Sequence, residues 1–399
     1  MSAKASWPQV GFCDALDSKS GIVRPRKKIA ARSYLSSGRI PVVDQGKQAV
    51  AGWTNEADSV VETPLPVIVF GDHTRVFKYI DYPFAAGADG TLIFRPAELF
   101  DPRFFYYACL GIDLPNRGYN RHFTILRERA LPRPEPSEQQ SIAAVLAETE
   151  AAVEIETERL RVARELKQAA LAEVFSRGLR GERQRETAYG LVPKSWTDRQ
   201  LSGCSYVQTG VAKNSRNVSA DALEVPYLRV ANVQDGHLDL SEMKTIRIPE
   251  REIESCLLRE GDVVLTEGGD FDKLGRGFVW EGQIPRCVHQ NHVFAVRTDR
   301  DQLDPFFFAY LAQSPYGKAY FLSVAHKTTN LACINTTKLR AFPVILPLLD
   351  EQREIGDLFR SIDARIARHE ARQRLMRELF ASLLRDLMTG RRRVTEVAS

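Results

Sequence analysis

Residues 134–153, PEPSEQQSIAAVLAETEAAV, and residues 347–366, PLLDEQREIGDLFRSIDARI, are two copies of one pattern set 213 positions apart. Glu138-Gln139 in the first copy matches Glu351-Gln352 in the second. The apolar positions keep the same offset without a gap as far as Val174 and Leu387. A repeat of this length predicts that one structural unit occurs twice in the chain.

Both copies predict long helices. No Pro or Gly interrupts residues 137–177, and the second copy contains only Gly356 before Gly390. Ser137 and Asp350 are expected as N-caps, and Gly178 and Gly390 as stops. About 40 residues is roughly three times the usual helix length, which favours a paired spacer over the alternative of two surface helices on separate domains.

An alternating spacing of four and three along the two helices predicts a coiled-coil-like seam that is polar near its middle. Glu156 and His369 occupy equivalent seam positions, so antiparallel packing would bring them together as a register-fixing pair, or both face water. The residues predicted to pack are Ile142, Leu146, Val153, Glu156, Leu160, Ile355, Phe359, Ile362, Ile366, His369 and Phe380.

The segments that precede the helices also correspond, since Asp101-Pro-Arg-Phe-Phe-Tyr-Tyr107 is similar to Asp304-Pro-Phe-Phe-Phe-Ala-Tyr310. The predicted layout is a domain at 1–136, a helix at 137–181, a linker and second domain at 182–345, and a helix with a tail at 346–399. The predicted fold class is α+β, with two mixed α/β domains separated by two long antiparallel helices and related by an internal pseudo-two-fold repeat. Apolar runs predict strands at 66–70, 91–94, 226–230, 262–265 and 293–296.

Composition favours an ordinary soluble protein, with 44% hydrophobic and 27% charged residues in a chain of 399. No apolar run approaches the ~18 residues of a membrane helix. The six cysteines form no CxxC pair and are interpreted as reduced core thiols of a cytoplasmic protein. The net charge is only +4, but basic residues cluster at 24–39 and 117–133, which predicts a basic binding face.

Two unlike domains on a rigid helical spacer suit the reading of two short DNA sequences on one face of a duplex, about one helical turn (~34–36 Å) apart. Because the domains differ in sequence, the two half-sites are expected to differ. The predicted target is therefore asymmetric and is split by a stretch that is not read.

The set of motifs resembles the specificity subunits of type I restriction-modification systems over essentially the whole chain. The resemblance rests on the duplicated helix start and on residues 40–47 (IPVVDQGK), 118–123 (GYNRHF), 189–196 (YGLVPKSW) and 261–265 (GDVVL). The beginning of the chain departs from the pattern, because only Ser6-Trp7 echoes Ser195-Trp196.

The resemblance implies a bacterial or archaeal DNA-binding protein that is not catalytic by itself. It implies partnership with two methylation subunits, which bind S-adenosylmethionine and methylate adenine, and with restriction subunits that use ATP and Mg where they are present. The chain itself would bind double-stranded DNA and no cofactor or metal. Its long helices would be the docking platform for the methylation subunits.

Arg, Lys, Asn, Gln and His side chains in loops are the groups that contact base edges and phosphates. The candidates in the first domain are Gln45, Lys47, His73, Thr74, Arg75, Asn116, Arg117, Tyr119, Asn120, Arg121 and His122. Those in the second domain are Lys213, Asn214, Arg216, Asn217, Arg229, Asn232, Lys273, Arg276, His289, Gln290, Asn291, His326, Lys327, Thr328, Thr329 and Asn330. For any single residue, the alternative is a structural role in its loop, and the sequence favours neither interpretation.

Two alternative functions belong to other classes. Asp81-Tyr-Pro-Phe84 is the nearest match to the [DN]PP[YF] tetrad of adenine methyltransferases, but its second residue is Tyr and no S-adenosylmethionine loop accompanies it, so a turn with core aromatics is the favoured interpretation. The chain contains no GxxxxGK[ST] loop and no HExxH. A coiled-coil protein that binds other proteins is the remaining alternative.

Overall fold

The computed structural model describes residues 7–116, 118, 120–212, 222–269, 274–327 and 332–394, with only the backbone of Lys327. The chain forms two compact units. Unit 1 takes in the chain up to Thr157 and again from Ala371, and unit 2 takes in Glu158–Glu370. Among the residues that are described, no helix is long and apolar enough to cross a membrane.

The globular part of unit 1 is built from short strands and two helices. The strands are β1 (Gln9–Gly11), β2 (Ile22–Val23), β3 (Lys28–Ile29), β4 (Ile40–Val43), β5 (Gly52–Thr54), β6 (Val67–Gly71), β7 (Phe77–Ile80), β8 (Ala85–Gly87), β9 (Thr91–Phe94) and β10 (Ala130–Pro132), and the helices are α1 (Pro102–Leu110) and α2 (Phe123–Leu126). An antiparallel sheet has the strand order β2-β9-β6-β7, a mixed sheet has the order β3-β8-β4-β5, and β1 pairs with β10.

A long helix, α3 (Pro136–Arg177), leaves unit 1 and enters unit 2. The strands that follow are β11 (Gln184–Thr187), β12 (Gly190–Pro193), β13 (Thr197–Gln200), β14 (Ser205–Thr209), β15 (Ala222–Leu228), β16 (Val233–Gln234), β17 (His237–Leu238), β18 (Lys244–Pro249), β19 (Val263–Thr266), β20 (Gly268–Gly269), β21 (Gly277–Val279), β22 (Val288–His289), β23 (Val293–Thr298), β24 (His326–Lys327), β25 (Ala332–Cys333) and β26 (Pro343–Leu346). The helices are α4 (Glu250–Cys256), α5 (Pro305–Gln313), α6 (Pro315–Val324), α7 (Thr336–Arg340) and the long α8 (Leu349–Met388).

The two globular parts share one topology although their sequences differ. The strand order β14-β23-β19-β21 in unit 2 repeats β2-β9-β6-β7 in unit 1. When the four strands of each sheet are numbered as they occur in the sequence, both sheets have the order 1-4-2-3. In the other sheet, β15 pairs antiparallel with β18 and parallel with β22, as β4 does with β5 and β8. The pair β13-β26 likewise corresponds to β1-β10. The repeat seen in the helices therefore extends to the sheets.

The long helices begin slightly earlier than predicted. Pro136 and Leu349 are their first residues, so Ser137 and Asp350 lie in the first turn and are not N-caps. Proline suits the first helical position because the amide hydrogen it lacks would be unpaired there. Gly178, which directly follows α3, has φ +66°, the left-handed conformation typical of a residue that ends a helix.

Within each unit, half of α3 packs antiparallel against half of α8. In unit 1, Ile142 and Leu146 belong to the same buried cluster as Leu383 and Leu387. In unit 2, Phe175 stacks on Phe359 with ring centroids 6.1 Å apart. Of the predicted seam residues, Ile142, Leu146, Glu156, Leu160, Ile355 and Phe359 are buried, while Val153, Ile362, Ile366, His369 and Phe380 are half-buried.

The polar seam position Glu156 is 2% exposed, and one carboxylate oxygen lies 3.3 Å from Nε of Arg372 in the same unit. Since a buried carboxylate needs a charged or hydrogen-bonding partner, Arg372 accounts for part of its stability. His369 belongs to unit 2, so its predicted pairing with Glu156 would join the two units and stays a prediction.

The duplicated Gln139 and Gln352 have the same role in the two units. Both are 1% exposed. Gln139 Oε1 accepts a hydrogen bond from the Asp101 amide, and its Nε2 donates to the carbonyls of Leu99 and Pro134. Gln352 repeats all three bonds, with the Asp304 amide and the carbonyls of Gln302 and Pro347. Each amide thus fixes the start of a long helix to the start of an earlier helix, α1 in unit 1 and α5 in unit 2.

The echo between Trp7 and Trp196 also has a structural basis. The Trp7 indole Nε1 donates a 3.0 Å hydrogen bond to the Leu387 carbonyl near the end of α8. Trp196 packs edge-on against Phe175 near the end of α3, with ring centroids 6.2 Å apart. Each unit therefore holds the beginning of one long helix and the end of the other.

Candidate nucleic-acid interface

In unit 1, the predicted DNA-contacting residues that the structure describes lie in three loop segments, which meet one another and a fourth segment. We call these segments junction 1: residues 44–48, 71–75, 87–90 and the described part of 114–122. The hydroxyl of Thr74 donates to the Gln45 carbonyl, and the His73 amide donates to Gln45 Oε1 at 3.3 Å. The Asp72 amide donates to the Gly90 carbonyl at 2.8 Å, and the Asp72 carbonyl accepts from the His122 amide at 3.0 Å. Asp72 thus lies at the centre of the junction.

In unit 2, the predicted residues that the structure describes lie in four segments that meet. Junction 2 consists of 228–232, the described part of 266–276, 289–292 and the described part of 326–334. The Gln290 amide donates to the Leu228 carbonyl at 2.9 Å. The Glu267 amide donates to the His292 carbonyl at 3.0 Å, and the Glu267 carbonyl accepts from the Ile334 amide at 2.8 Å.

The two junctions are equivalent in topology. Asp72 directly follows β6, and Glu267 directly follows β19, the corresponding strand. Each acidic residue donates its amide to the loop before the last strand of the sheet, and accepts at its carbonyl from the segment before α2 or α7. The candidates that the structure describes come from two globular parts of unlike sequence, and they lie at corresponding places in the two units.

A buried lysine, which was not among the residues predicted from sequence, donates hydrogen bonds to the backbone of loop 44–48. Lys78 is 8% exposed, and its Nζ donates to the carbonyls of Asp44 and Gln48 at 2.8 and 2.6 Å. Burial lowers the pKa of Lys78, and the Asp44 carboxylate partly offsets this effect. The sequence signal that could have identified Lys78 is a lysine inside the otherwise apolar strand FKYI. For Asp72 and Glu267, the signal is an acid that directly follows an apolar strand.

Several candidates are exposed at the junctions. In unit 1 these are Lys47, Thr74, Asn116, Asn120 and Arg121, and in unit 2 the exposed candidate is His326, while Gln290 and Asn291 are half-buried. Arg276 is half-buried beside β19, where its carbonyl accepts from the Thr266 amide at 3.0 Å.

Three candidates are buried, and the structure corrects their assignment as base-contacting residues. His122 is 0% exposed, and its Nδ1 lies 2.9 Å from the Asp72 carbonyl oxygen. His289 is also 0% exposed, with Nδ1 2.7 Å from the Val293 carbonyl oxygen, and burial lowers its pKa. Asn232 is 3% exposed and donates to the carbonyls of Asp239 and Glu242. All three stabilise the junctions from inside.

Other candidates make internal bonds at the edge of the junctions. Arg75 has a left-handed backbone, with φ 63°, and its guanidinium donates to the Leu114 carbonyl at 2.8 Å. Arg229 donates to the Glu242 carbonyl at 3.1 Å. Gln45 and Thr74 join two loops, as described above. These residues shape the surface, and a direct contact to DNA stays a prediction for them.

The remaining candidates lie outside the described residues. They are Arg117, Tyr119, Lys213, Asn214, Arg216, Asn217, Lys273, Thr328, Thr329 and Asn330, together with the side chain of Lys327.

The basic run at 24–39 is less basic in the structure than in the sequence. Lys27 lies 2.5 Å from Glu56 and 3.1 Å from Asp58, and these two acids raise its pKa. Arg26 lies 3.0 Å from Glu62. The acids come from a neighbouring segment that the linear charge pattern did not connect with the run. The predicted basic face is therefore partly neutralised here, although Arg24, Arg32 and Arg39 are exposed.

Two further predictions concern individual side chains. Phe84 of the 81–84 tetrad is 0% exposed within a buried cluster, so it cannot stack on a flipped base, in agreement with its interpretation as a core aromatic. Four cysteines are buried, but Cys13 and Cys333 are exposed, which corrects the prediction that all six are core thiols.

Comparison with known proteins shows which proteins the chain is similar to. The family model for the type I restriction modification DNA specificity domain matches residues 193–375. The chain is 22% identical over 209 residues to a protein of Methanocaldococcus jannaschii named as the specificity subunit of type I restriction enzyme MjaX, covering 50% of this chain and 48% of that protein. It is 23% identical over 270 residues to the MjaVIII specificity subunit of the same organism, covering 66% of this chain and 62% of that protein.

The chain is therefore similar to type I restriction-modification specificity subunits, and the match to their DNA specificity domain covers residues 193–375. The matches span from about half to 62% of the two relatives' lengths. A solved structure of a specificity subunit, the type I restriction-modification system S subunit from M. genitalium, is similar over 96% of both chains with a TM-score of 0.61 and 14% identity. At that identity the likeness supports the α+β fold of the specificity subunits.

Proposed function

We propose that the chain is a type I restriction-modification specificity subunit, which binds double-stranded DNA in a sequence-specific manner and recognises an asymmetric, bipartite target. Junction 1 would contact one half-site and junction 2 the other. The chain is not catalytic by itself, and it directs the activity of subunits that it binds.

The observation that carries this proposal is the topological equivalence of the two junctions. Each gathers loop residues of the kinds that contact bases and phosphates at the same place on the same sheet arrangement. Because the loop sequences differ, the base contacts are expected to differ as well. Two equivalent but non-identical binding surfaces account for a target with two unlike halves.

The long helices carry apolar side chains that are exposed in the free chain. They are Ile155, Leu375 and Leu379 in unit 1, and Val162, Leu166 and Leu358 in unit 2. Exposed apolar residues grouped on one element favour a protein partner. We propose that the partners are two methylation subunits, joined by two restriction subunits where these are present. S-adenosylmethionine, and ATP with Mg, would bind on those partners.

The proposal is tested by sequencing methyladenine in DNA from a host that expresses the full chain together with its methylation subunits. One asymmetric bipartite motif is expected. Changing exposed residues of junction 1 (Lys47→Ala with Arg121→Ala) should alter one half of the motif, and His326→Ala in junction 2 should alter the other. Lys19→Ala, an exposed residue outside both junctions, is the matched control and should leave the motif unchanged.

Each contrary result points to a different function. No new methylated motif, with all subunits shown to be present, would favour a protein that uses its helices only for assembly. Methylation by the isolated chain, together with tight binding of S-adenosylmethionine, would favour a self-contained methyltransferase.

A further inference from the structure

The acidic residues at the centres of the two junctions use their side chains differently. In junction 1, Asp72 Oδ1 accepts from the amides of His122 and Phe123 at 2.9 and 2.7 Å, so the carboxylate caps α2 from outside that helix. Asp72 is only 6% exposed. In junction 2, α7 has its own cap, because Asn335 Oδ1 accepts from the Lys338 amide at 2.9 Å. The Glu267 carboxylate is therefore not needed for capping.

Glu267 instead binds a histidine at the surface. Its Oε2 lies 2.5 Å from Nδ1 of His292, and the side chains of Glu267 and His292 are 30% and 57% exposed. A carboxylate at Nδ1 fixes both the orientation of an imidazole ring and the position of its proton, which leaves Nε2 as the outward-facing nitrogen. Asn291 Nδ2 lies 3.5 Å from Nε2 of His292, which is too long for a strong hydrogen bond.

We propose that His292 contacts a base of the half-site recognised by junction 2, and that Glu267 is its positioning residue. This inference rests on the DNA-binding function proposed above. An oriented ring nitrogen can accept from the amino group of cytosine or adenine, or donate to guanine when it carries a proton, so it distinguishes base edges in the major groove. His292 was not among the residues selected from sequence, although it adjoins Gln290 and Asn291, which were.

The site has the backbone support that such a contact requires. The Glu267 amide and carbonyl bond to His292 and Ile334 through main-chain atoms. Truncating the Glu267 or His292 side chain leaves those bonds in place. Variants at these two positions are therefore expected to fold, which separates a loss of recognition from a loss of structure.

The test is competition binding by the purified complex of the full chain with its partner subunits, using DNA duplexes that each carry one base substitution in the target. For His292→Ala we expect discrimination at one position of one half-site to fall roughly 5- to 150-fold, the range for a single base contact. The other half-site should be read as before. Arg251→Ala, an exposed residue on α4 of the same unit, is the control and should change no position.

The positioning role has its own readout. Glu267→Ala should weaken discrimination at the same base position as His292→Ala, by a smaller factor, because the ring remains but is no longer held. Glu267→Gln should restore most of it, since the amide oxygen can still accept from Nδ1. An effect of Glu267→Ala at a different position, or equally at all positions, would contradict this role.

Two results for His292→Ala would overturn the inference while leaving the proposed function intact. The first is an unchanged preference at every position. The second is a uniform loss of affinity for all duplexes, which is the behaviour of a phosphate contact. If the unmodified complex has no sequence preference, the proposed function itself fails and this inference fails with it.

Discussion

Units 1 and 2 each have a half-buried acid, Glu150 and Asp363, at equivalent positions of the repeat, but the two acids have different partners. In unit 1, Glu150 accepts hydrogen bonds from the hydroxyls of Tyr106 and Tyr107 at 3.1 and 2.8 Å. In unit 2, the equivalent Asp363 accepts from the Tyr310 hydroxyl at 2.8 Å and lies 2.6 Å from Nζ of Lys167.

The difference comes from the opposing long helix. Position 167 of α3 corresponds to position 380 of α8 in the repeat. In unit 1 that position is Phe380, which packs on the Tyr107 ring with centroids 6.1 Å apart. In unit 2 it is Lys167, whose Nζ lies 5.4 Å from the centre of the Tyr310 ring. The residue at this repeat position is therefore apolar in unit 1 and charged in unit 2, whereas Gln139 and Gln352 are the same residue in both units.

The largest expected effect is a loss of stability that is equal in the two units. Gln139→Leu or Gln352→Leu leaves three backbone groups, one buried and two partly buried, without their side-chain partner, at a cost of about 3–5 kcal/mol in the affected unit. Hydrogen exchange read by mass spectrometry on the full chain reports the opening free energy of each unit separately. Gln140→Leu, at an exposed neighbouring position, is the control and should cost little. A cost confined to one of the two glutamines would break the equivalence of the units.

A smaller and unequal effect is expected where the units differ. The Lys167 and Asp363 side chains are 10% and 23% exposed, so Lys167→Met leaves a largely buried carboxylate without its cation. We expect a cost of about 2–3 kcal/mol in unit 2, slightly below the range for breaking a fully buried pair. Phe380→Met in unit 1 keeps an apolar side chain of similar size and should cost about 1 kcal/mol.

Two further variants separate charge from packing in this comparison. Adding Asp363→Asn to Lys167→Met removes the unpaired charge and should recover part of the loss in a double-mutant cycle. Lys318→Met removes another lysine of unit 2, whose pair with Asp235 is exposed, and should cost no more than about 1 kcal/mol. Equal losses from Lys167→Met and Lys318→Met would show that burial does not decide the effect.

Features that depend on local pattern were predictable from sequence. The spacing of apolar residues predicted the two long helices and their buried positions Ile142 and Phe359, whereas the similar segments at 101–107 and 304–310 were matched as a repeat without a predicted helix. Loop composition led to segments that the structure brings together.

Features that depend on contacts between distant segments were not predictable. His122 and His289 lie in polar runs of the kind found in surface loops, but both are buried, against Asp72 and Gln208 from distant parts of the chain. The acids that neutralise Arg26 and Lys27 come from residues 56–62. The common sheet order of the two units was hidden because their sequences share few residues outside the helices and the segments directly before them.

The smallest expected effect lies at the duplicated glutamates and has opposite signs in the two units. Glu138 of unit 1 lies 3.3 Å from the Arg393 guanidinium, which in turn stacks on the Trp7 ring at 3.6 Å. Glu351 of unit 2 has a raised pKa, caused first by burial and then by the nearby charge of Glu182. Glu138→Gln should therefore destabilise unit 1 by at most about 1 kcal/mol, whereas Glu351→Gln should stabilise unit 2 at neutral pH.

The pH dependence of stability shows whether ionised Glu351 destabilises unit 2, whatever the size of the effect. A carboxyl whose pKa is higher in the folded than in the unfolded chain destabilises the fold when it is ionised, so its unfavourable contribution disappears as the pH falls through the raised pKa to the ordinary value of about 4.3. The advantage of Glu351→Gln over the unmodified chain should consequently vanish over that range in hydrogen-exchange measurements on unit 2. An advantage that persists below it would mean that the substitution acts through packing and that the two glutamates do not differ in charge environment.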